Sequence, residues 1–136
     1  MSQPNHGMEI TPLRKHIFQR LLVEEDFVED SVHRDDYVQG KGYPGALVSA
    51  YVITGYVTEL MMRTFGEDWL STGSFKLKFI GTGLQQSDDI EVRASTRSVE
   101  ALDDGRERLT LEVWIDRLSD GARNVVGEAS CIRTPA

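Results

Sequence analysis

Cysteine is almost missing from this sequence: Cys131 stands alone, so the chain can close no disulfide on itself and assemble no cysteine-rich zinc site. A reducing compartment is the simplest setting, and the expected location is cytoplasmic. A basic excess is missing too. Fifteen Lys and Arg stand against 22 Asp and Glu, a formal net charge of -7, which leaves nothing to neutralise a phosphate backbone and excludes nucleic acid as the expected partner. The opening MSQPNHGMEITP has no apolar run behind a basic segment and does not read as a signal peptide. Residues 1–12 read as a flexible lead-in, and 13–136 as one domain large enough to bury a core. No stretch reads as a membrane span either. Ala46 to Phe65 approaches the length, but it carries Thr54, Thr58, Glu59 and Arg63, and an ionised pair in hydrocarbon is costly.

What is present is strongly patterned. ALVSAYVITGYVTELMMRTF, from Ala46, is apolar on nearly every face apart from a thin polar stripe, which predicts a long helix enclosed by other structure and capped by Gly66. Before it, Leu13 to Val23 reads as a first strand, and the carboxylate-rich EEDFVEDSVHRDDYV as surface loop or short helical turns. Gly40, Gly42, Pro44 and Gly45 then break the backbone just ahead of the helix. After Gly66 the period is two: Phe75, Leu77 and Phe79; Ile90, Val92 and Ala94; Leu109, Leu111, Val113 and Ile115. Asp103-Asp104-Gly105 and Ser119-Asp120-Gly121 supply hairpin turns, and a last strand runs from Arg123 to about Arg133. A strand, a long apolar helix and a meander of strands predict an α+β hotdog fold, an antiparallel sheet wrapped around a long central helix. Such a sheet leaves an edge open, so a homodimer or a pairing with another hotdog chain is expected.

Of the three histidines, His6 falls in the lead-in and His16 on the first strand with no evident partner. His33 lies just upstream of the glycine-rich turn into the helix. An imidazole moves protons in either direction near neutral pH, and unpaired N–H groups at a helix start can polarise a carbonyl. The alternative is a solvated loop in which His33 and its neighbours Asp26, Glu29, Asp30, Asp35 and Asp36 have no chemical role, and spacing alone does not choose between the two.

The run HRDDYVQGKGYPGALVSAYVITGYVTEL resembles the MaoC-like acyl-thioester dehydratases and hydratases, with His33, Asp35, Tyr37, Gly42, Tyr43, Pro44 and Gly45 matching in order. The likeness continues more loosely over residues 17 to 132. Asp88 keeps the acidic member of a Gly-Asp pair, and Ser87 stands in place of the glycine. The resemblance implies reversible hydration of a trans-2-enoyl thioester of coenzyme A or a carrier protein, with no metal or redox cofactor. By position, His33 is the general acid/base. Its carboxylate partner is Asp30 or Asp26, since Val28 occupies the family's acid position. Gly45, Ser49, Ala50 and Tyr51 bind substrate, and the Ala50 amide is the oxyanion donor. Ser49-Ala50 replaces the family's His-Gly.

Two rival readings remain: a non-catalytic hotdog subunit that pairs with a catalytic partner, and a hotdog thioesterase using Glu59. Against the second, Arg63 four residues on predicts a structural ion pair with Glu59. Tyr51 and Tyr56 read either as lining an acyl tunnel or, preferably, as core aromatics with satisfied hydroxyls. Met61 and Met62 read as packing, and Cys131 as inert.

Overall fold

The computed structural model describes residues 10–18, 48–85 and 87–135. Strand β1 (Leu13–His16) is followed by the long helix α1 (Ala50–Phe65) and a single-turn helix α2 (Glu67–Thr72). Four strands come next: β2 (Ser74–Phe79), β3 (Asp89–Ala101), β4 (Glu107–Arg117) and β5 (Arg123–Arg133). They form one antiparallel sheet in the order β1-β3-β4-β5-β2.

The period of two decides which side of the sheet is dry. Leu109, Leu111, Val113 and Ile115 of β4 face inward, flanked by Ile90 and Val92 of β3 and by Val125, Ala129 and Cys131 of β5. Ile53, Val57, Leu60 and Met61 of α1, spaced on one helical face, complete this core. Each fully buried aliphatic side chain contributes about 1.5–3 kcal/mol, so this layer dominates the folding energy. Gly66, at φ +58°, ends α1 and donates its N–H to the Met62 carbonyl at 2.8 Å. Both hairpins turn where DDG and SDG predict. Gly105 and Gly121 have positive φ, while Asp104 and Asp120 accept the N–H groups of Arg106 and Ala122.

Several expectations are corrected. The described helix begins later than the expected Ala46: Val48 is not helical, Ser49 is an extended N-cap (φ -68°, ψ 152°), and α1 begins at Ala50, while the Val48 N–H bonds the Leu84 carbonyl at 2.9 Å. Among the described residues, a single sheet packs on one face of α1, and Ala50, Tyr51, Gly55, Glu59 and Arg63 on the other are exposed. β1 is only four residues long. EDWLST forms a short helix of its own, with Trp69 buried and stacked on Phe75.

Glu59 pairs with Lys15 of β1 at 3.2 Å, and Arg63 donates to the Thr11 carbonyl, in place of the expected Glu59–Arg63 pair. His16 does have a partner, since its Nδ1 lies 2.7 Å from Asp89 Oδ1. Together with Arg14–Glu91, these contacts give Arg14, Lys15 and His16 of β1 each a carboxylate partner. Such solvent-exposed pairs are worth roughly 0–1 kcal/mol each, so buried Ile10, Leu13 and Ile17 supply most of the attachment of this segment.

Candidate functional site

The site starts from the beginning of α1. A helix leaves its first N–H groups without intrahelical acceptors and carries a partial positive charge at that end. Here the N–H groups of Val52 and Ile53 turn back to the Ser49 carbonyl, and those of Ala50 and Tyr51 come before any such bond. No acidic residue lies in the first turn to neutralise the dipole. Ser49 is buried at 6 % exposure, whereas Ala50 is exposed and Tyr51 is 66 % exposed, a large aromatic side chain standing at the helix mouth rather than in a core. The mouth thus offers backbone donors and an aromatic wall to an electron-rich group.

Its position is fixed from the sheet side. The connection between β2 and β3 delivers the Leu84 carbonyl that holds Val48. The same connection pairs with the end of the β1 segment: Ile17 donates to the Asp88 carbonyl at 2.8 Å, and Ser87 donates to the Ile17 carbonyl at 3.0 Å. Two buried polar side chains hold the connection itself. Arg117, 9 % exposed, donates to Asp88 Oδ2 (3.0 Å), Asp120 Oδ2 (3.1 Å) and the Gly83 carbonyl (2.6 Å). Asn124, 1 % exposed, accepts the Gly83 N–H through Oδ1 and the Ile80 N–H through its carbonyl.

Burial alone would lower the Arg117 pKa, but its bonds to Asp88 and Asp120 outweigh that and raise it, so the guanidinium stays charged. Asp120 is held below the ordinary carboxylate range, first by the Ala122 N–H and then by Arg117.

Sequence reasoning passed over Arg117 and Asn124. The signal was there for Arg117, which occupies the next inward position after Leu109, Leu111, Val113 and Ile115, where an apolar residue is expected.

His33, Asp30, Asp26 and Gly45 lie outside the described residues, so the mouth is seen here from Val48 onward. The other candidates sort plainly. Glu59 is occupied by Lys15, which also lies over the Tyr56 ring. Met61 is core. Burial pushes the Cys131 thiol up to about 11, which keeps it protonated and unreactive. Among the described residues, no cluster of three or more His, Cys, Asp or Glu suits a metal ion, and no helix is long and apolar enough to cross a membrane.

Two open clefts lie away from the mouth. One, about 790 Å³, is bordered by Lys76, Arg97, Glu112, Trp114, Arg123 and Glu128; the other, about 550 Å³, adjoins His16, Ser87, Asp89 and Leu118. Their charged groups are largely paired with one another: Arg97 bridges Glu112 and Glu128, Arg123 holds Asp116, and His16 holds Asp89. The helix mouth, with donors not neutralised by its own first turn, is the stronger candidate.

No protein-family model matches this sequence, and no curated protein does. Solved structures do. The (R)-hydratase from A. caviae involved in PHA biosynthesis is similar with a TM-score of 0.67 at 19% identity, over 95% of this chain and 98% of that one. The ChsH1-ChsH2 complex from Mycobacterium tuberculosis gives 0.63 at 14% identity, over 93% and 94%. A MaoC-like dehydratase from Rhodospirillum rubrum gives 0.58 at 13% identity, over 75% and 73%. At such identities the likeness is one of fold, and it establishes the α+β hotdog architecture that the element order predicts.

Proposed function

We propose that this chain is a MaoC-like enoyl-thioester hydratase, or 3-hydroxyacyl-thioester dehydratase in the reverse direction, acting on acyl-CoA or acyl-carrier-protein substrates. The observation that carries the reading is the start of α1, where the Ala50 and Tyr51 amides head a helix whose first turn holds no acid. A thioester oxygen that gains negative charge as water adds across the double bond needs such donors, placed in advance.

In this reaction His33, with Asp30 or Asp26 holding the water beside it, takes a proton from that water. The oxygen bonds to the β-carbon, and the π electrons move through the α-carbon onto the thioester oxygen, where the Ala50 N–H stabilises the enolate. His33 then gives the proton it took to the α-carbon, which restores the carbonyl and returns the imidazole to its starting state. Gly45, Ser49 and Tyr51 are the further substrate-binding residues of this reading. The likeness to an (R)-hydratase and to a MaoC-like dehydratase supports the assignment through the shared fold.

The test is hydration of a trans-2-enoyl-CoA, followed by loss of the conjugated thioester's ultraviolet absorbance, with free thiol measured alongside. We expect hydration without thiol release. His33→Ala should slow it by about a hundred- to ten-thousand-fold with the fold intact, the usual contribution of a general acid/base. Full activity in that variant removes His33 from the mechanism, and thiol release by the native chain would favour the thioesterase reading, against which the Lys15–Glu59 pair already stands.

A second reading has its own observation. Ala50 puts a methyl group beside the donor amide, and the face of α1 carrying Ala50, Tyr51 and Gly55 is exposed. Both suit a chain that pairs with a catalytic hotdog partner, and one structural relative is a complex of two differently named chains. Absence of hydration by this chain alone, with activity appearing on addition of a hotdog chain that carries an intact Asp/His motif, would select it.

A further inference from the structure

Among the described residues only three polar or charged side chains are buried: Ser49, Arg117 and Asn124. Arg117 and Asn124 share one line of contact, and Ser49 follows Val48, which that line reaches. Arg117 and Asn124 come from the two strands of the β4–β5 hairpin and grip the connection between β2 and β3 at Ile80, Gly83 and Asp88. That connection in turn grips Ile17 through two backbone bonds and Val48 through one. Ser49, next to Val48, is the extended N-cap residue of the helix whose amides form the candidate site.

We infer that Arg117 and Asn124 are positioning residues: acting through the β2–β3 connection, they tie Ile17 and Val48 to one support and thereby set the helix mouth. This rests on the proposed function, because the mouth presents the Ala50 amide that the proposed reaction uses. The physical reason is specificity of geometry. A buried ion pair is a poor way to gain stability, since apolar residues of similar volume do as well or better. A guanidinium, however, fixes several acceptors at set directions, and here it fixes the carboxylate of Asp88, the carboxylate of Asp120 and the carbonyl of Gly83 at once. Asp88 Oδ2 also accepts the Gln85 N–H at 2.8 Å, so the turn beside Leu84 and Ser87 is braced on the same carboxylate. Misplacing a catalytic constellation by about 1 Å costs up to roughly a hundredfold in rate, so a clamp of this kind acts on turnover more than on binding.

The experiment uses the full chain with Arg117→Met, Arg117→Lys and Asp88→Asn, read by enoyl-CoA hydration and by amide hydrogen exchange. We expect Arg117→Met and Asp88→Asn to lower kcat by about 10- to 100-fold while KM moves less than about twofold. Arg117→Lys should recover part of kcat, since a lysine keeps the charge but not the three-way fork. Exchange at Val48 and Ile17 should accelerate while the centre of β4 stays protected. A core variant of matched melting temperature, Val113→Ala, should keep kcat, which separates positioning from loss of stability. If Arg117→Met does not fold, Asp88→Asn carries the same comparison.

Unchanged kcat in Asp88→Asn overturns the inference while leaving the hydratase reading in place. A native chain without hydration activity overturns that reading instead, and exchange then decides alone: loss of protection at Val48 and Ile17 supports the clamp, and unchanged protection overturns it.

Discussion

Ser87 has a φ of +72°, a backbone conformation that favours glycine and that costs a residue with a Cβ about 1–2 kcal/mol. It stays there because its N–H bonds the Ile17 carbonyl and its neighbour Asp88 is held by Arg117. Ser87→Gly should therefore stabilise the protein by about 0.5–1 kcal/mol, the relief of strain exceeding the added freedom of the unfolded chain. Thermal unfolding checks this, and a lower melting temperature would show that the serine side chain contributes more than its backbone costs.

The sequence already marks the position, because the related motif has glycine there. It does not disclose that Asp88 faces Arg117, twenty-nine residues on. Arg117 breaks the inward series of β4 in plain sight, but an arginine at a strand end reads equally as the last exposed residue. Only the pairing partners distinguish the two.

Among the described residues, β2 pairs in the sheet with β5 alone, and Gly127 lies opposite Leu77. A Cβ added at Gly127 would overlap the Lys76 carbonyl and press on the Leu77 side chain, so backbone has to move. Gly127→Ala is expected to cost about 1–3 kcal/mol, as overpacking does, and to loosen β2 first. Hydrogen exchange faster in 74–79 than in β3 and β4 is the expected signature, and uniform loss across the sheet would contradict it.

The four later strands and both hairpins are legible because alternation and turn chemistry are local. The start of α1 is not. Ala46, Leu47 and Val48 continue the helical pattern in apolar character, but Ser49 is extended and the Val48 N–H bonds Leu84 from another part of the chain, so tertiary context overrides propensity. The Glu59–Arg63 pair fails for a similar reason: β1 brings Lys15 to Glu59, and a partner distant in sequence is invisible to spacing along one helix.

At the scale of the whole molecule, two features call for a second chain. Among the described residues, strand β2 lies at the edge of the sheet, and α1 has one exposed face with Tyr51 at its start. A dimer is proposed on that basis, and sedimentation velocity should show twice the 15.3 kDa chain mass. A single species at 15.3 kDa, unchanged at the highest soluble concentration, would argue against self-pairing and leave the two-chain reading to be tested by mixing.

What the amino-acid order determined unaided is the architecture: one apolar helix among strands of period two, with glycines where the hairpins turn. These are statements about neighbours a few residues apart, and burial follows directly from them. The tertiary structure alone decided where the helix starts, which of its faces is covered, and that two buried polar side chains from the last hairpin hold the connection that bonds Ile17 and Val48. Those depend on contacts between residues far apart in the chain, such as Arg117 with Asp88, Gly83 with Asn124 and Ile17 with Asp88, and no local pattern encodes a partner at that range.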